Sequence, residues 1–128
     1  MMSMAVILEI SKWAYEALSA DDDVQALTGG RIFPVIAQQG SGTISPTVIF
    51  RSVGASSTRT KDGTLPATCT LELSAMAADV MQVQALADAV AACLEENTER
   101  DALLQSYSES FVVDYQVYEG VMTFSVEL

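Results

Sequence analysis

Histidine is absent from this sequence of 128 residues, and cysteine occurs only twice, at Cys69 and Cys93. The lack of histidine excludes the Ser–His–Asp and Cys–His arrangements that activate a nucleophile. The two cysteines show no CxxC spacing and no other ligand cluster, so no zinc site is predicted. We expect both to be small buried apolar residues in a reducing compartment, because a chain of this length needs no disulfide scaffold.

Basic residues are also scarce: six Lys and Arg stand against 17 Asp and Glu, giving a formal net charge of -11. Tight binding to duplex DNA is excluded, because affinity for phosphates comes from Lys and Arg. The acidity is compatible with solubility alone, with capture of a basic partner, or with a wall that repels passing DNA. No apolar run approaches the ~18 residues of a membrane helix. The N-terminus also lacks the basic region of a signal peptide, so we expect a cytosolic protein without a membrane partner.

The carboxylates do not predict a catalytic or metal site. Asp22 and Glu95 are one conceivable pair, but 17 acidic residues produce many chance pairs. The run of three Asp at 21–23 lacks the spacing of a calcium loop and is typical of a helix cap. Nothing polar is forced into the predicted core, where a catalytic group would need costly burial. The sequence therefore predicts no enzyme, no cofactor and no metal ligand.

What is present is a pattern typical of a globular domain. Half of the residues are hydrophobic and 18% are charged, so we expect one domain over residues 1–128. Helical spacing of apolar residues predicts a first helix over about 3–19 and a second from Asp79 to about Glu95. A short helix capped by Asp and Gly is predicted between them, over about 21–30. The predicted buried stripe of the second helix consists of Val83, Leu86, Ala87, Val90 and Leu94.

Alternating side chains predict strands over residues 31–36, 46–53 and 68–76. Pro34 places the first of these at a sheet edge or ends it. Residues 97–105 are either a loop or the start of a strand. Strands with one wet and one dry face suit an antiparallel sheet with both main helices on its dry side. The predicted fold class is therefore α+β.

The C-terminal residues predict a hairpin with Glu119-Gly120 at its turn, because Gly supplies a positive φ. In that register Val117 faces Met122 and Phe111 faces Leu128, with apolar pairs on one face. A slightly longer loop remains an alternative, since Glu-Gly is a weaker turn sequence than Asn-Gly.

Residues 54–67 (GASSTRTKDGTLPA) predict a long polar loop, and loops of this length are usually functional or disordered. It carries two of the scarce cations, Arg59 and Lys61. They are either a solvated loop tip or an arm that reaches an acidic patch on a neighbouring copy. The expected subunit-contact residues are Arg51, Arg59, Lys61 and Asp62.

The order of these segments resembles a known family. Residues 23–27 (DVQAL) precede 30–34 (GRIFP); then come 46–50 (PTVIF), the polar loop, and an Ala-rich helix at 85–90 (ALADAV). Together with the closing hairpin, this resembles the tail completion or tail terminator proteins of long-tailed bacteriophages and prophages. The resemblance covers nearly the whole chain.

The resemblance implies a structural virion protein: an α+β subunit of a hexameric ring that terminates the tail tube and joins it to the head connector. It implies the tail tube protein and the connector as partners, with DNA only passing through the lumen. It also implies assembly in the host cytoplasm, a place in the virion tail, and no cofactor. The alternatives are a head–tail connector or other minor tail component, and an acidic module that captures a basic protein.

Overall fold

The computed structural model describes residues 4–33, 46–56, 59–60, 63–64, 68–113 and 116–127. Its helices are α1 (Met4–Ala20), α2 (Asp22–Thr28) and α3 (Val80–Glu96). Its strands are β1 (Ile32–Phe33), β2 (Thr47–Ser56), β3 (Arg59–Thr60), β4 (Gly63–Thr64), β5 (Thr68–Ala77), β6 (Ala102–Val112) and β7 (Val117–Glu127). The α+β class predicted from the sequence is confirmed.

The helix ends follow from local chemistry. Asp21 has an extended backbone and its carboxylate accepts the Val24 N–H at 3.0 Å, which begins α2. Gly29 ends α2 with φ of 61°, a left-handed conformation that costs glycine little. Asp79 begins α3 by accepting the Met81 N–H at 2.6 Å. The three predicted helices are therefore confirmed, with their ends close to the expected residues.

The main sheet has five strands in the order β1-β2-β5-β7-β6. The pairs β2–β5, β5–β7 and β7–β6 are antiparallel. Strand β1 departs from the expected antiparallel pattern, because it pairs parallel to β2 through Ile32 and Val48. Strand β6 forms the opposite edge. The Glu95 carboxylate on the last turn of α3 accepts the Leu104 N–H of this edge strand at 3.1 Å.

One apolar cluster joins α1, α2, α3 and the alternating inward residues of the sheet. In β5 and β7 these residues pair across the strands, as Leu71 does with Phe124 and Leu73 with Met122. All four side chains are fully buried. The predicted stripe of α3, from Val83 to Leu94, is buried as expected. The largest buried side chains are Phe124, Ile10, Leu18, Leu71, Leu73, Leu86, Leu94 and Met122.

The predicted C-terminal hairpin is wrong in its turn. Glu119 and Gly120 lie inside the continuous strand β7, and the chain reverses between Val112 and Val117, which pair directly. Gln116, with φ of 52°, adopts the positive φ at this reversal. Gly120 has a different role: a Cβ there would lie 2.7 Å from the Tyr107 ring and 2.8 Å from Val83. The glycine permits close packing of the strand and does not form a turn.

The structure also differs from the loop predicted over 54–67, and it assigns the segment 97–105 that the sequence left undecided. Strand β2 continues through Ser56, which pairs with Thr68, so β2 and β5 extend into the segment from both sides. Strands β3 and β4 pair within the remainder. Residues 97–105 contain the start of β6, at Ala102. The predicted strand over 31–36 is described only at Ile32 and Phe33, and its continuation lies outside the described residues.

Candidate functional surfaces

Of the four predicted contact residues, Arg51 is the only one whose side chain the structure describes. It lies where the pairing of β2 with β5 shifts between Phe50 and Ser52. Its Nε atom is 3.2 Å from Glu72, and its terminal nitrogen is 3.2 Å from Glu119. The backbone of Arg59 lies in β3, while Lys61 and Asp62 lie outside the described residues. The structure therefore does not bring the four residues together as a described site.

The partners of Arg51 form a polar network across three strands. Glu119 accepts a hydrogen bond of 2.8 Å from the hydroxyl of Ser74, whose side chain is fully buried. Glu119 itself is only 16% exposed in its side chain. Sequence reasoning missed Glu72 and Glu119, because their position opposite Arg51 depends on the strand order. Their location on the polar positions of β5 and β7 was the only sequence signal.

We expect Arg51→Met to lower the free energy of unfolding by about 1–2 kcal/mol, because Glu119 loses a charged partner in a mostly buried setting. Urea unfolding measures this difference. Glu16→Gln is the matched control: its partner Lys12 is 3.9 Å away and both side chains are largely exposed. The control should change stability by less than about 0.5 kcal/mol. Equal effects of the two variants would contradict a structural role for the Arg51 network.

An open acidic cleft lies where α1, α2 and the end of α3 meet. It has a volume of about 460 Å³, and its walls carry carboxylates from Glu16, Asp21, Glu96 and Glu99. The indole N–H of Trp13 donates to Asn97 at 3.1 Å, which ties α1 to the residue that ends α3.

Cys93 lines this cleft and is half-buried, whereas Cys69 is buried as predicted; both are free. The Cys93 thiol donates to the Ala17 carbonyl at 3.4 Å. Burial, and next the neighbouring Asp21 carboxylate, raise the pKa of Cys93 to about 12. The thiol is therefore protonated at neutral pH and is not an activated nucleophile.

We expect iodoacetamide to alkylate Cys93 at pH 9 at least about 100-fold more slowly in the folded protein than in the urea-unfolded chain. Only the thiolate reacts, and the ordinary cysteine pKa of 9.0 leaves much of it ionised in the unfolded chain. Mass spectrometry of the Cys93 peptide measures the rate. Rapid alkylation of the folded chain at pH 9 would contradict the raised pKa.

The raised pKa of Cys93 also means that this thiol's contribution to stability is complete below pH 9 and decreases as the pH rises towards 12.

Metal and membrane features can be stated for the described ranges only. There, no three His, Cys, Asp or Glu side chains lie where they could share a metal ion. None of the helices in the described part of the chain combines the length and apolar character that a membrane crossing requires.

The fold and these surfaces define a small α+β protein. The family model described as "Tail completion protein gp17" matches residues 14–126, and the chain belongs to this tail completion family. It is therefore a structural protein of a phage-like tail, and the resemblance seen in the sequence is confirmed.

A solved structure supports the same fold. The chain is similar to a chain in "Virion of native gene transfer agent (GTA) particle", with a TM-score of 0.69 and 16% identity. The match covers 89% of this chain and 90% of that one. No curated protein matches this chain in sequence.

Proposed function

We propose that this chain is a ring-forming subunit, acting as one domain over residues 1–128, that terminates a tail tube and joins it to the head connector. The observation that carries the proposal is the family match over residues 14–126. The likeness to a chain of a gene transfer agent virion supports the fold that such a role requires. The proposed ring is a hexamer, with the tail tube protein and the connector as its partners.

The proposed role needs surfaces and no reaction. We assign no catalytic residue and no cofactor, because the inward residues of the described core are apolar. The thiol of Cys93, which lines the acidic cleft, is held in its protonated form. The protein acts by occupying a place in the virion, where it is delivered from the host cytoplasm during assembly.

The charge of the chain has two consequences in such a ring. Each of six copies brings a net charge of -11, so carboxylates that line the lumen would keep passing DNA from sticking. The same charge opposes association of the copies. The scarce cations are then suited to contacts between copies, and we propose that Arg51, Arg59 and Lys61, with Asp62 beside them in sequence, make such contacts. Arg51 also forms ion pairs within its own chain.

We expect the oligomer to become more stable as salt is raised, because screening shortens the repulsion between subunits to about 8 Å at physiological ionic strength. Sedimentation velocity at low and high sodium chloride measures the change. An oligomer that dissociates when salt is added would contradict the proposal. An acidic module that captures a basic partner predicts instead a monomer at every salt concentration.

A further inference from the structure

An apolar groove of about 220 Å³ lies between α3 and the edge strand β6; we call it the α3–β6 groove. Ala87 and Ala91 form its helical side, and their small side chains leave the gap open. Leu104 and Tyr107 form the strand side, and the buried Met122 of β7 also lines the groove. An apolar depression of this kind on the outer edge of a sheet is suited to receive an apolar side chain.

The strand side of the groove is held in place. The Tyr107 hydroxyl donates to the Glu109 carboxylate at 2.7 Å. The Tyr107 ring also approaches the Gly120 backbone so closely that a Cβ there would clash with it. The groove is therefore formed before anything binds, which lowers the cost of binding.

A second exposed apolar feature lies on α1, where Leu8, Lys12 and Tyr15 follow one another at helical spacing; we call them the α1 stripe. Leu8 is 64% exposed and Tyr15 is 45% exposed. They lie opposite the buried face of α1, which carries Ile10, Ala14 and Leu18. The outer face of a surface helix is ordinarily polar, so these two side chains are candidates for a contact with another surface.

The α1 stripe carries one cation, Lys12, with the carboxylates of Glu9 and Glu16 beside it, and the wall of the groove is acidic. Asp88 lines the α3–β6 groove and is exposed, and Glu109 is exposed beside Tyr107. Lys12 lies between the two apolar residues of the α1 stripe. Its amine is 3.9 Å from Glu16 with 77% of the side chain exposed, so little holds it in place. In a chain of net charge -11, a lysine flanked by apolar residues fits an apolar groove with an acidic wall.

The two surfaces belong to different parts of the molecule. Helix α1 contacts α3 through its buried face and β1 and β2 at one edge of the sheet, whereas the far side of α3 contacts β6 at the other edge. A contact between them therefore joins two copies. Because the surfaces differ, the contact is heterologous, and a heterologous contact repeated with the correct rotation closes a ring.

We propose that the α1 stripe of one copy occupies the α3–β6 groove of the next copy. This inference rests on the ring proposed above and names the contact that builds it. Leu8 and Tyr15 fill the groove, and Lys12 lies against Asp88 of the neighbouring copy.

Thiol cross-linking tests the contact directly. In a Cys93→Ser background, one preparation carries Lys12→Cys and a second carries Asp88→Cys. A short bismaleimide, which spans the gap that the shortened side chains leave between the two thiols, is expected at raised salt to give a covalent dimer when the two are mixed and none from either alone. Lys12→Cys mixed with Leu103→Cys is the control, since Leu103 is equally accessible, at 62% exposed, but lies outside the groove. No dimer in the first mixture, or as much in the control, would overturn the contact.

Charge-exchange variants distinguish an error in this contact from an error in the proposed ring. Lys12→Glu and Asp88→Lys should each weaken the oligomer in sedimentation at least about tenfold, and the double variant should restore it. Lys12→Glu with Asp101→Lys has the same net charge as that double variant without the pairing, and should not restore it. If all variants assemble like the unaltered chain, the ring stands and the contact is wrong, which would leave the groove to a different tail protein. If the unaltered chain stays monomeric at every salt and protein concentration, both are wrong.

Discussion

Replacing Gly120 by valine is expected to lower the free energy of unfolding by about 3 kcal/mol, because the new side chain has no space. A Cβ at this position would lie 2.7 Å from the ring and hydroxyl of Tyr107 and 2.8 Å from Val83. The clash would push β6 and α3 away from β7, because Tyr107 lies in β6 and Val83 lies in α3. Chemical denaturation monitored by circular dichroism measures the loss.

Two further variants make the Gly120 result specific. Gly54→Val is the matched control, because Gly54 also lies in a strand but nothing lies within 4 Å of its added Cβ. It should leave stability within about 0.5 kcal/mol or raise it slightly, since valine favours strands. Gly120→Asn distinguishes strand from turn: asparagine tolerates a positive φ and would be accepted at a turn. If Gly120→Asn is nearly neutral, Gly120 does not lie in a packed strand.

Phe124→Ala is expected to destabilise the protein by about 3–5 kcal/mol, the range for removing a buried aromatic side chain. Phe124 is fully buried in β7 and pairs with Leu71 on one side and Leu104 on the other. Its removal leaves a cavity where the sheet meets the core residues of the helices. Urea unfolding, with a decreased midpoint and an unchanged slope, would report this loss.

Phe111→Ala is the control for Phe124→Ala, because it deletes the same side chain at an exposed position. Phe111 is 47% exposed and makes an edge-to-face contact with Tyr118 at 5.0 Å between ring centres. Its loss should cost about 1 kcal/mol. A Phe124→Ala variant as stable as Phe111→Ala would mean that β7 does not carry the core.

The helices could be predicted from the sequence because their signals are local. Asp21 and Gly29 mark the ends of α2, and Asp79 marks the start of α3, through hydrogen bonds to residues two to four positions away. The buried stripe of α3 depends only on helical periodicity, which the sequence displays directly. The inward residues of β5 followed in the same way from strict alternation.

The C-terminal turn could not be predicted, because glycine serves two purposes that look identical in sequence. At Gly29 the backbone needs a positive φ, whereas at Gly120 it needs room for Tyr107 and Val83. Both neighbours of Gly120 are distant in sequence, and the real reversal contains Gln116, a residue with no strong turn preference. The network of Arg51 with Glu119 was hidden for the same reason, since it requires β2 and β7 to flank β5.

The candidate contact surfaces likewise combine features that the sequence shows with features that only the structure shows. The scarcity of cations directed attention to Arg51, Arg59 and Lys61, but composition alone could not show that Arg51 is held by its own chain. The α3–β6 groove depends on the separation of α3 from an edge strand, which no local pattern indicates. The sequence shows that α1 carries the apolar residues Leu8 and Tyr15, but it does not show where their side chains lie. Only the structure shows that Leu8 and Tyr15 remain outside the core.

Electron microscopy of the purified protein at raised salt tests the ring most directly. The account predicts particles with six-fold symmetry and an open central channel, with a solution mass of six chains. Monomers under all conditions, or a closed dimer without a channel, would contradict it.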